Sequence, residues 1–144
     1  MGSGIDITGA SGAIPVSDGK RRNAHAQRFY EEVRKRTTDI AAIAGNTGWE
    51  AVKIEKVKSH IFFARHDLGY DEPVRFDPDY NMAVSWQRLT DGTDIQEEDY
   101  LLLEHEYLEL SLMESKGLNY TEAHIKASEQ FDYAAAIRRK EEAQ

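Results

Sequence analysis

The sequence predicts an all-α fold, a compact single-domain bundle of five to seven helices with a long irregular loop at residues 67–80. Apolar residues recur at helical spacing along most of the chain after residue 19, and no run alternates with period two over a useful length. Capping residues, glycine or proline mark the ends of the periodic segments. The 144 residues are 40% hydrophobic and 31% charged, as expected of one ordinary globular domain.

Residues 1–19 differ in composition from the rest of the chain. They are rich in glycine, serine and alanine, lack a helical period and contain Pro15. We therefore expect a flexible N-terminal linker at residues 1–19, followed by a helical domain at residues 20–144.

The helical segments follow in order along that domain. We expect helices over residues 20–36, 40–44, 49–63, 82–89 and 95–116, then one from Thr121 and a charged one over residues 132–140. Gly45 is expected to stop the second helix and Gly117 the longest one, because glycine readily adopts the left-handed conformation that ends helices. The segment 67–80 contains Gly69, two prolines and five acidic residues, and is therefore predicted to be a loop.

The net charge of −8 is unevenly distributed. Residues 20–66 contain 11 Lys and Arg against 5 Asp and Glu, whereas residues 67–144 contain 7 against 19. The simplest interpretation is that the two halves attract each other. The alternative is that the basic half faces a polyanion while the acidic half faces solvent or a metal.

The absence of cysteine and of long apolar runs excludes several kinds of site and a membrane location. Without cysteine there is no disulfide, no thiolate catalysis and no cysteine-bound zinc, so any metal must be held by His, Asp or Glu. No stretch approaches the roughly 20 apolar residues of a membrane span, and no secretory signal pattern occurs. We therefore expect a soluble domain with no membrane partner.

One segment of the basic half has the spacing of a helix-turn-helix unit. In such units a small residue on the first helix precedes a turn glycine by four positions, and apolar residues follow about six and nine positions later. The matching residues are Ala44, Gly48, Ile54 and Val57. The second helix carries Glu50 and Glu55 where phosphate contact favours Lys or Arg, so the same spacing is also that of an ordinary packed helix pair.

The helix predicted at 95–116 carries the most unusual pattern. At about 100° per residue, His105 and Glu109 fall at the centre of its leucine-rich face, and Glu106 falls within the same arc. A solvated charge run would place its carboxylates on the opposite face. Burying a carboxylate costs several kcal/mol unless it is paired, metal-bound or protonated, so these residues need a partner.

Candidate partners lie elsewhere in the chain. His60 is on the inner side of its helix, Arg65 and His66 follow at the end of that helix, and His124 shares a face with apolar residues. One interpretation is a buried polar network in which each histidine bonds a carboxylate or a backbone carbonyl. The other is an acid/base or metal site, because such sites are built by bringing His, Glu and Arg together in an apolar pocket.

Four runs of the sequence carry a resemblance to a known family. They are KSHIFFARHDL (58–68), RFDPDYNMAVSWQRL (75–89), LLLEHEYLE (101–109) and GLNYTEAH (117–124). Together they resemble a domain found at the C-terminal end of phage minor head proteins of the Mu-type class and in polymorphic toxins of Gram-positive bacteria, and the resemblance covers residues 28–133. The most motif-like positions are His60, His66, Asp77, Asp79, Trp86, His105, Glu106, Glu109 and His124.

The resemblance implies a toxin-like or phage-delivered effector domain joined to a longer protein by a flexible linker. Such a domain is either cytoplasmic or delivered into a target cell, and a cognate immunity or inhibitor protein is an expected partner. The resemblance does not assign a reaction.

Three functions suit the residues. A nuclease or phosphodiesterase would use two histidines as general base and acid and Arg65 or Arg75 to stabilise the phosphorane, with nucleic acid guided by the basic half. A zinc-dependent hydrolase is a further possibility, since HEYLE (105–109) matches the start of an HExxH helix but has Glu109 in place of the second histidine. His105, Glu109 and His124 would then bind zinc, and His60 or His66 are the other candidates for the third ligand. The third is a non-enzymatic DNA- or protein-binding module that uses the helix-turn-helix-like segment.

Overall fold

The computed structural model of the chain describes residues 19–143. The linker expected at residues 1–19 therefore lies outside the described residues, except for Gly19. Gly19 is the first residue of the first helix and not part of a linker.

Seven α-helices and one π-helical turn make up most of the described chain. They are α1 (Gly19–Lys35), α2 (Asp39–Thr47), α3 (Ala51–Lys58), the π-helical turn (Ser59–Phe63), α4 (Tyr80–Asp91), α5 (Glu97–Lys116), α6 (Tyr120–Gln130) and α7 (Tyr133–Glu142). Between residues 19 and 143 the β-type pairing is limited to one isolated antiparallel bridge, His66 with Val74. The all-α prediction is confirmed, and so is an irregular segment between the π-helical turn and α4.

The predicted end of α2 at Gly45 is wrong. The helix continues to Thr47, and Gly48 ends it with a φ of +81° and a backbone N–H that donates to Ala44 O at 2.9 Å. Asn46 lies within the last turn of α2 and donates from its amide to the carbonyls of Leu89 and Thr90, which ties α2 to the end of α4. The left-handed residue that ends α2 is therefore Gly48, three residues after the predicted Gly45.

The core is built around α5, which packs against α3, α4, α6, α7 and the π-helical turn. Large aromatic side chains fill the space between these elements. Trp86 is fully buried and its ring lies 5.2 Å from the ring of Phe62, which in turn lies 4.6 Å from the ring of Tyr30. This packing fixes the π-helical turn against α1 and α4, and so fixes the position of His60.

Ion pairs join the basic first half to the acidic second half. Arg22 lies 3.6 Å from Glu141, and Lys56 lies 3.7 Å from Glu114. Both pairs are at the surface, where each contributes at most about 1 kcal/mol. None of the helices within residues 19–143 combines the length and the apolar character needed to cross a membrane.

Candidate metal centre

Five buried or half-buried side chains from three elements meet beside the core. His105, Glu106 and Glu109 come from α5, His60 from the π-helical turn and His124 from α6. We call these five residues the His/Glu cluster. The side chains of Glu109 and Glu106 are 0% and 1% exposed, so the prediction that the α5 carboxylates are removed from solvent is confirmed.

The buried face of α5 is rotated slightly from the predicted leucine arc. Leu102, Leu103 and Leu110 are buried together with the three α5 cluster residues, whereas Leu101 and Leu108 are only half-buried. The centre of the face therefore lies nearer to Glu106 than the sequence pattern indicated. A count of leucines does not distinguish an apolar residue at the edge of a face from one at its centre.

The π-helical turn sets the direction of His60. It follows α3 without a break, and the backbone N–H of Ala64 donates to Ser59 O at 2.8 Å. Wider π-type turns are rare and occur often at functional sites, because they rotate the side chains that follow them. Here the turn places His60 Nε2 at 2.7 Å from Glu109 Oε1.

Glu109 is at the centre of the cluster, in contact with all three of its histidines. Its Oε1 faces His60, while its Oε2 lies 3.1 Å from His105 Nε2 and 2.9 Å from His124 Nδ1. Burial disfavours the charged carboxylate, but hydrogen bonds from ring nitrogens that carry a proton outweigh burial and hold the pKa of Glu109 well below its usual range. Glu109 is therefore an anion when these rings donate to it, and a neutral His105 would not.

The orientation of His105 is fixed by the backbone of the α6–α7 connection. Its Nδ1 lies 2.9 Å from Phe131 O, and a carbonyl can only accept, so Nδ1 carries a proton. In the neutral ring, Nε2 then presents a lone pair toward Glu109 Oε2. Histidines that bind metals commonly donate their other N–H to a backbone carbonyl in this way.

Three ligand-type atoms form a triangle at this point. His105 Nε2, Glu109 Oε2 and His124 Nδ1 are separated by 3.1, 2.9 and 3.3 Å. Zinc bonds of about 2.0–2.1 Å to nitrogen and oxygen give a separation of about 3.3 Å between neighbouring ligands of a tetrahedron. The triangle therefore has nearly the size of one face of a tetrahedral zinc site, and its three residues are those predicted from sequence as metal ligands.

Glu106 is buried without a hydrogen-bond partner. Its two carboxyl oxygens have none among residues 19–143. Oε1 lies 3.8 Å from His60 Nε2, and Oε2 lies 3.6 Å from His105 Nε2. Burial, together with the negative charges of Glu109 and Asp79, raises the pKa of Glu106 well above its usual range.

His66 packs beside the cluster and supports it. Its ring stacks on Phe76 at 4.3 Å, and its Nε2 donates to the carbonyl of His60 at 3.1 Å. Burial lowers the pKa of His66, and the neighbouring His60 lowers it further, so the ring is neutral. His66 thus holds the backbone of the π-helical turn, and the structure does not bring its ring nitrogens into the triangle.

The loop before α4 lies beside the cluster. Phe76 packs on the ring of His60 at 5.8 Å, and Asp79 lies close enough for its charge to act on Glu106. Asp79 also caps α4 by accepting from Met82 N at 3.0 Å. Asp77 is exposed.

Arg65 and Arg75 do not join the cluster. Both side chains are exposed, and Arg75 donates from Nε to Phe63 O at 3.3 Å. Each arginine is next in sequence to a residue that points inward, His66 or Phe76, so its own side chain points outward. A direct role of either arginine at the reacting atoms is not supported by this placement.

The helix-turn-helix-like pair is present as α2 and α3. Ile54 and Val57 are buried at the contact, and Gly48 forms the turn. The outer side of α3 exposes Val52, Glu55 and Lys56, while Lys58 is buried against Asp39 at 2.8 Å. The other two lysines of α3 are each paired with a carboxylate, Lys53 with Glu50 at 3.5 Å and Lys56 with Glu114 at 3.7 Å.

Two participants were not identified from the sequence. The Tyr120 hydroxyl lies 3.3 Å from His124 Nδ1, and burial and the charges of Glu109 and Glu106 raise its pKa, so the phenol keeps its proton. The i, i+4 spacing of Tyr120 and His124 was a usable signal. The carbonyl of Phe131 left no sequence signal, because any residue has one.

Comparison of the chain with protein-family models, with curated proteins and with solved structures found no match.

Proposed function

We propose that the protein is a divalent-metal-dependent hydrolase whose ion, of the zinc type, is held by His105, Glu109 and His124. The observation that carries the proposal is the triangle of ligand atoms, with separations of 2.9–3.3 Å, in which the far nitrogen of His105 is already held by a carbonyl. Two histidines and one carboxylate form a ligand set used by catalytic zinc sites.

A cation resolves an electrostatic conflict in this triangle. The lone pair of a neutral His105 faces the negative Glu109 Oε2 at 3.1 Å, and two electron-rich atoms at that distance repel each other. Either an extra proton on His105 or a metal ion between the two atoms would turn the repulsion into attraction. The metal also accounts for the third atom, His124 Nδ1, which lies near both.

An ion held by His105, Glu109 and His124 would remain accessible to water. A bound divalent ion would lower the pKa of that water to about 7 and so would supply hydroxide at neutral pH. The site opens on the α6 side, because the side chain of His124 is 27% exposed while the other cluster side chains are 6% exposed or less. Water and substrate would approach the ion beside His124 and Tyr120.

Phosphodiesters are the substrate class that the surroundings favour. His66 and Phe76 pack on the ring of Tyr120 at 5.7 and 5.2 Å, and their sequence neighbours Arg65 and Arg75 are exposed. Because their neighbours line this side, we infer that these arginines lie near the opening and would attract a polyanion without touching the reacting phosphorus. Nucleic acid hydrolysis would suit the toxin-like effector role that the resemblance implies, and an immunity protein would then block this opening.

The test combines metal removal with histidine substitution. Chelated and reloaded protein is assayed on single-stranded and duplex nucleic acids and on bis(p-nitrophenyl) phosphate. His105→Gln keeps a polar side chain and should cost about 1–2 kcal/mol of stability, yet it should lose activity by orders of magnitude because Gln is a poor metal ligand. His25→Gln is the matched control, since His25 is exposed and lies outside the cluster.

Full activity of the chelated protein, or of a folded His105→Gln variant, would contradict the proposal. Metal-dependent hydrolysis of peptides but not of phosphodiesters would keep the metal centre and overturn the substrate class.

A further inference from the structure

We propose that the His/Glu cluster binds a second divalent ion, held by His60, Glu106 and Glu109, so that the two glutamates bridge a dinuclear centre. This inference rests on the proposed function, because it adds a second ion beside the one held by His105, Glu109 and His124. Ligand atoms of His60, Glu106 and Glu109 lie within 4.8 Å of one another, as do those of the first group.

Glu109 already has the arrangement of a bridging carboxylate. Its Oε1 lies 2.7 Å from His60 Nε2, while its Oε2 faces His105 and His124. The two oxygens of one carboxylate are thus directed at two separate groups of imidazole nitrogen. A single ion in the first triangle would use Oε2 and leave the pairing of Oε1 with His60 unused.

Glu106 repeats the same pattern beside it. Its Oε1 is the oxygen nearer to His60, at 3.8 Å, and its Oε2 is nearer to His105, at 3.6 Å. Both distances are too long for hydrogen bonds and exceed by a few tenths of an ångström the separation of about 3.3 Å between neighbouring ligands of a tetrahedral zinc ion. The two carboxylates therefore span the same two groups of nitrogen atoms in parallel.

The unpaired state of Glu106 is an independent observation. The residue is 1% exposed, and neither of its oxygens has a hydrogen-bond partner among the described residues. A buried carboxyl without a partner costs about 1–3 kcal/mol, and more when it is charged. The first ion alone does not meet both oxygens, whereas an ion on each side of the carboxylate does.

The charge of the surroundings also suits two cations. Glu106 and Glu109 lie within the cluster, and Asp79 is near enough for its negative charge to act on Glu106. The Nε2–H of His66 is directed to the His60 carbonyl, so this ring does not pair with either carboxylate. Arg65 and Arg75 are turned to solvent and do not compete for the carboxylates.

A dinuclear centre would change how the hydrolysis proceeds. Two ions about 3.5–4 Å apart hold the attacking oxygen and the leaving oxygen of an in-line displacement at the same time. His60, which the first ion does not need, would then be required for turnover as a metal ligand. The π-helical turn that aims His60 would gain a functional reason.

The experiment counts metal ions per chain. The protein is stripped with chelator, loaded with Mn²⁺ or with Zn²⁺, desalted, and analysed for metal and protein; wild type is compared with His60→Gln, Glu106→Gln and the control His25→Gln. We expect two ions in wild type and in His25→Gln, and one ion in His60→Gln and Glu106→Gln. Circular dichroism melting shows that each variant is folded.

The outcomes separate the two proposals. One ion in wild type and also one in His60→Gln would overturn the dinuclear centre and leave the proposed function standing, whereas no retained ion in wild type would overturn both. If a variant does not fold, electron paramagnetic resonance of Mn²⁺-loaded wild type decides. A spin-coupled spectrum from two neighbouring ions supports the proposal, and only the six-line spectrum of isolated Mn²⁺ contradicts it.

Discussion

Replacing Glu106 with Gln should stabilise the metal-free protein, and the gain should grow with pH. Glu106 is 1% exposed, has no hydrogen-bond partner for either oxygen, and lies beside the charges of Glu109 and Asp79. These features raise its pKa in the folded protein above the ordinary unfolded value of about 4.3. Gln has nearly the same shape and cannot ionise.

The size of the effect follows from proton linkage. Because the folded pKa is raised, folding takes up a proton at any pH between the unfolded and the folded pKa, and stability falls as pH rises through that range. The slope is about 1.4 kcal/mol per pH unit for one proton. The advantage of Glu106→Gln over wild type should therefore grow with pH by up to about 1.4 kcal/mol per pH unit, until the pH passes the folded pKa of Glu106.

Urea unfolding of chelator-treated protein at pH 5, 6 and 7 measures this difference. Glu129→Gln, which removes the same charge from an exposed position on α6, serves as the control and should follow wild type at every pH. Parallel stability curves for Glu106→Gln and wild type would refute the reasoning, since they would show that Glu106 ionises in the folded protein as it does in the unfolded chain. Saturating zinc should reverse the order, because wild type binds two ions and the variant only one, so wild type gains more binding energy.

Three further predictions concern the scaffold and the metal. Gly92→Ala should destabilise the protein by about 1–3 kcal/mol in thermal melting, because the φ of Gly92 is +72° and a Cβ there would lie 2.7 Å from the Asn46 side chain. Gly45→Ala should instead stabilise it by about 0.5–1 kcal/mol, because Gly45 lies in a helix with open space around the added carbon. An unchanged melting temperature in Gly92→Ala would contradict the account of the α4 end. Asp39→Ala should lower the free energy of unfolding by about 3–5 kcal/mol, because it leaves the buried Lys58 without the carboxylate that lies 2.8 Å away. Adding Lys58→Met should recover part of that stability. No recovery in the double variant would show that the loss comes from the Trp86 hydrogen bond to Asp39. Chelation of the metal-loaded protein should lower its melting temperature. This decrease should be smaller in His124→Gln, which lacks one ligand, and undiminished in His25→Gln; an equal decrease in His124→Gln and wild type would remove His124 from the ligand set.

Much of the fold could be predicted because its signals are local. Helical spacing identified the helices, and Gly117 marked a boundary that the structure keeps. Gly45 misled because a glycine inside a helix and one at its end look the same in sequence, and only packing against α4 shows that Gly48 is the left-handed residue. The π-helical turn was missed since its apolar residues have the same period as a regular helix over so short a stretch.

The candidate site was partly predictable for a different reason. A carboxylate on an apolar helix face is costly, so His105, Glu106 and Glu109 stood out before their partners were known. That His60 and His124 reach Glu109 while His66 does not depends on the turn at Ser59–Phe63 and on the α5–α6 contact, and neither is encoded in a local pattern. Arg65 and Arg75 seemed suitable by charge alone, but burial of their neighbours turns them outward.

X-ray absorption spectroscopy of protein loaded with one equivalent of zinc tests the central claim most directly. The account predicts a first shell of nitrogen and oxygen at about 2.0–2.1 Å, with the outer-shell scattering of two imidazole rings in wild type and of one ring in His124→Gln. Zinc that is lost on desalting, or that shows no imidazole scattering, would contradict the assignment of His105, Glu109 and His124 as a metal centre.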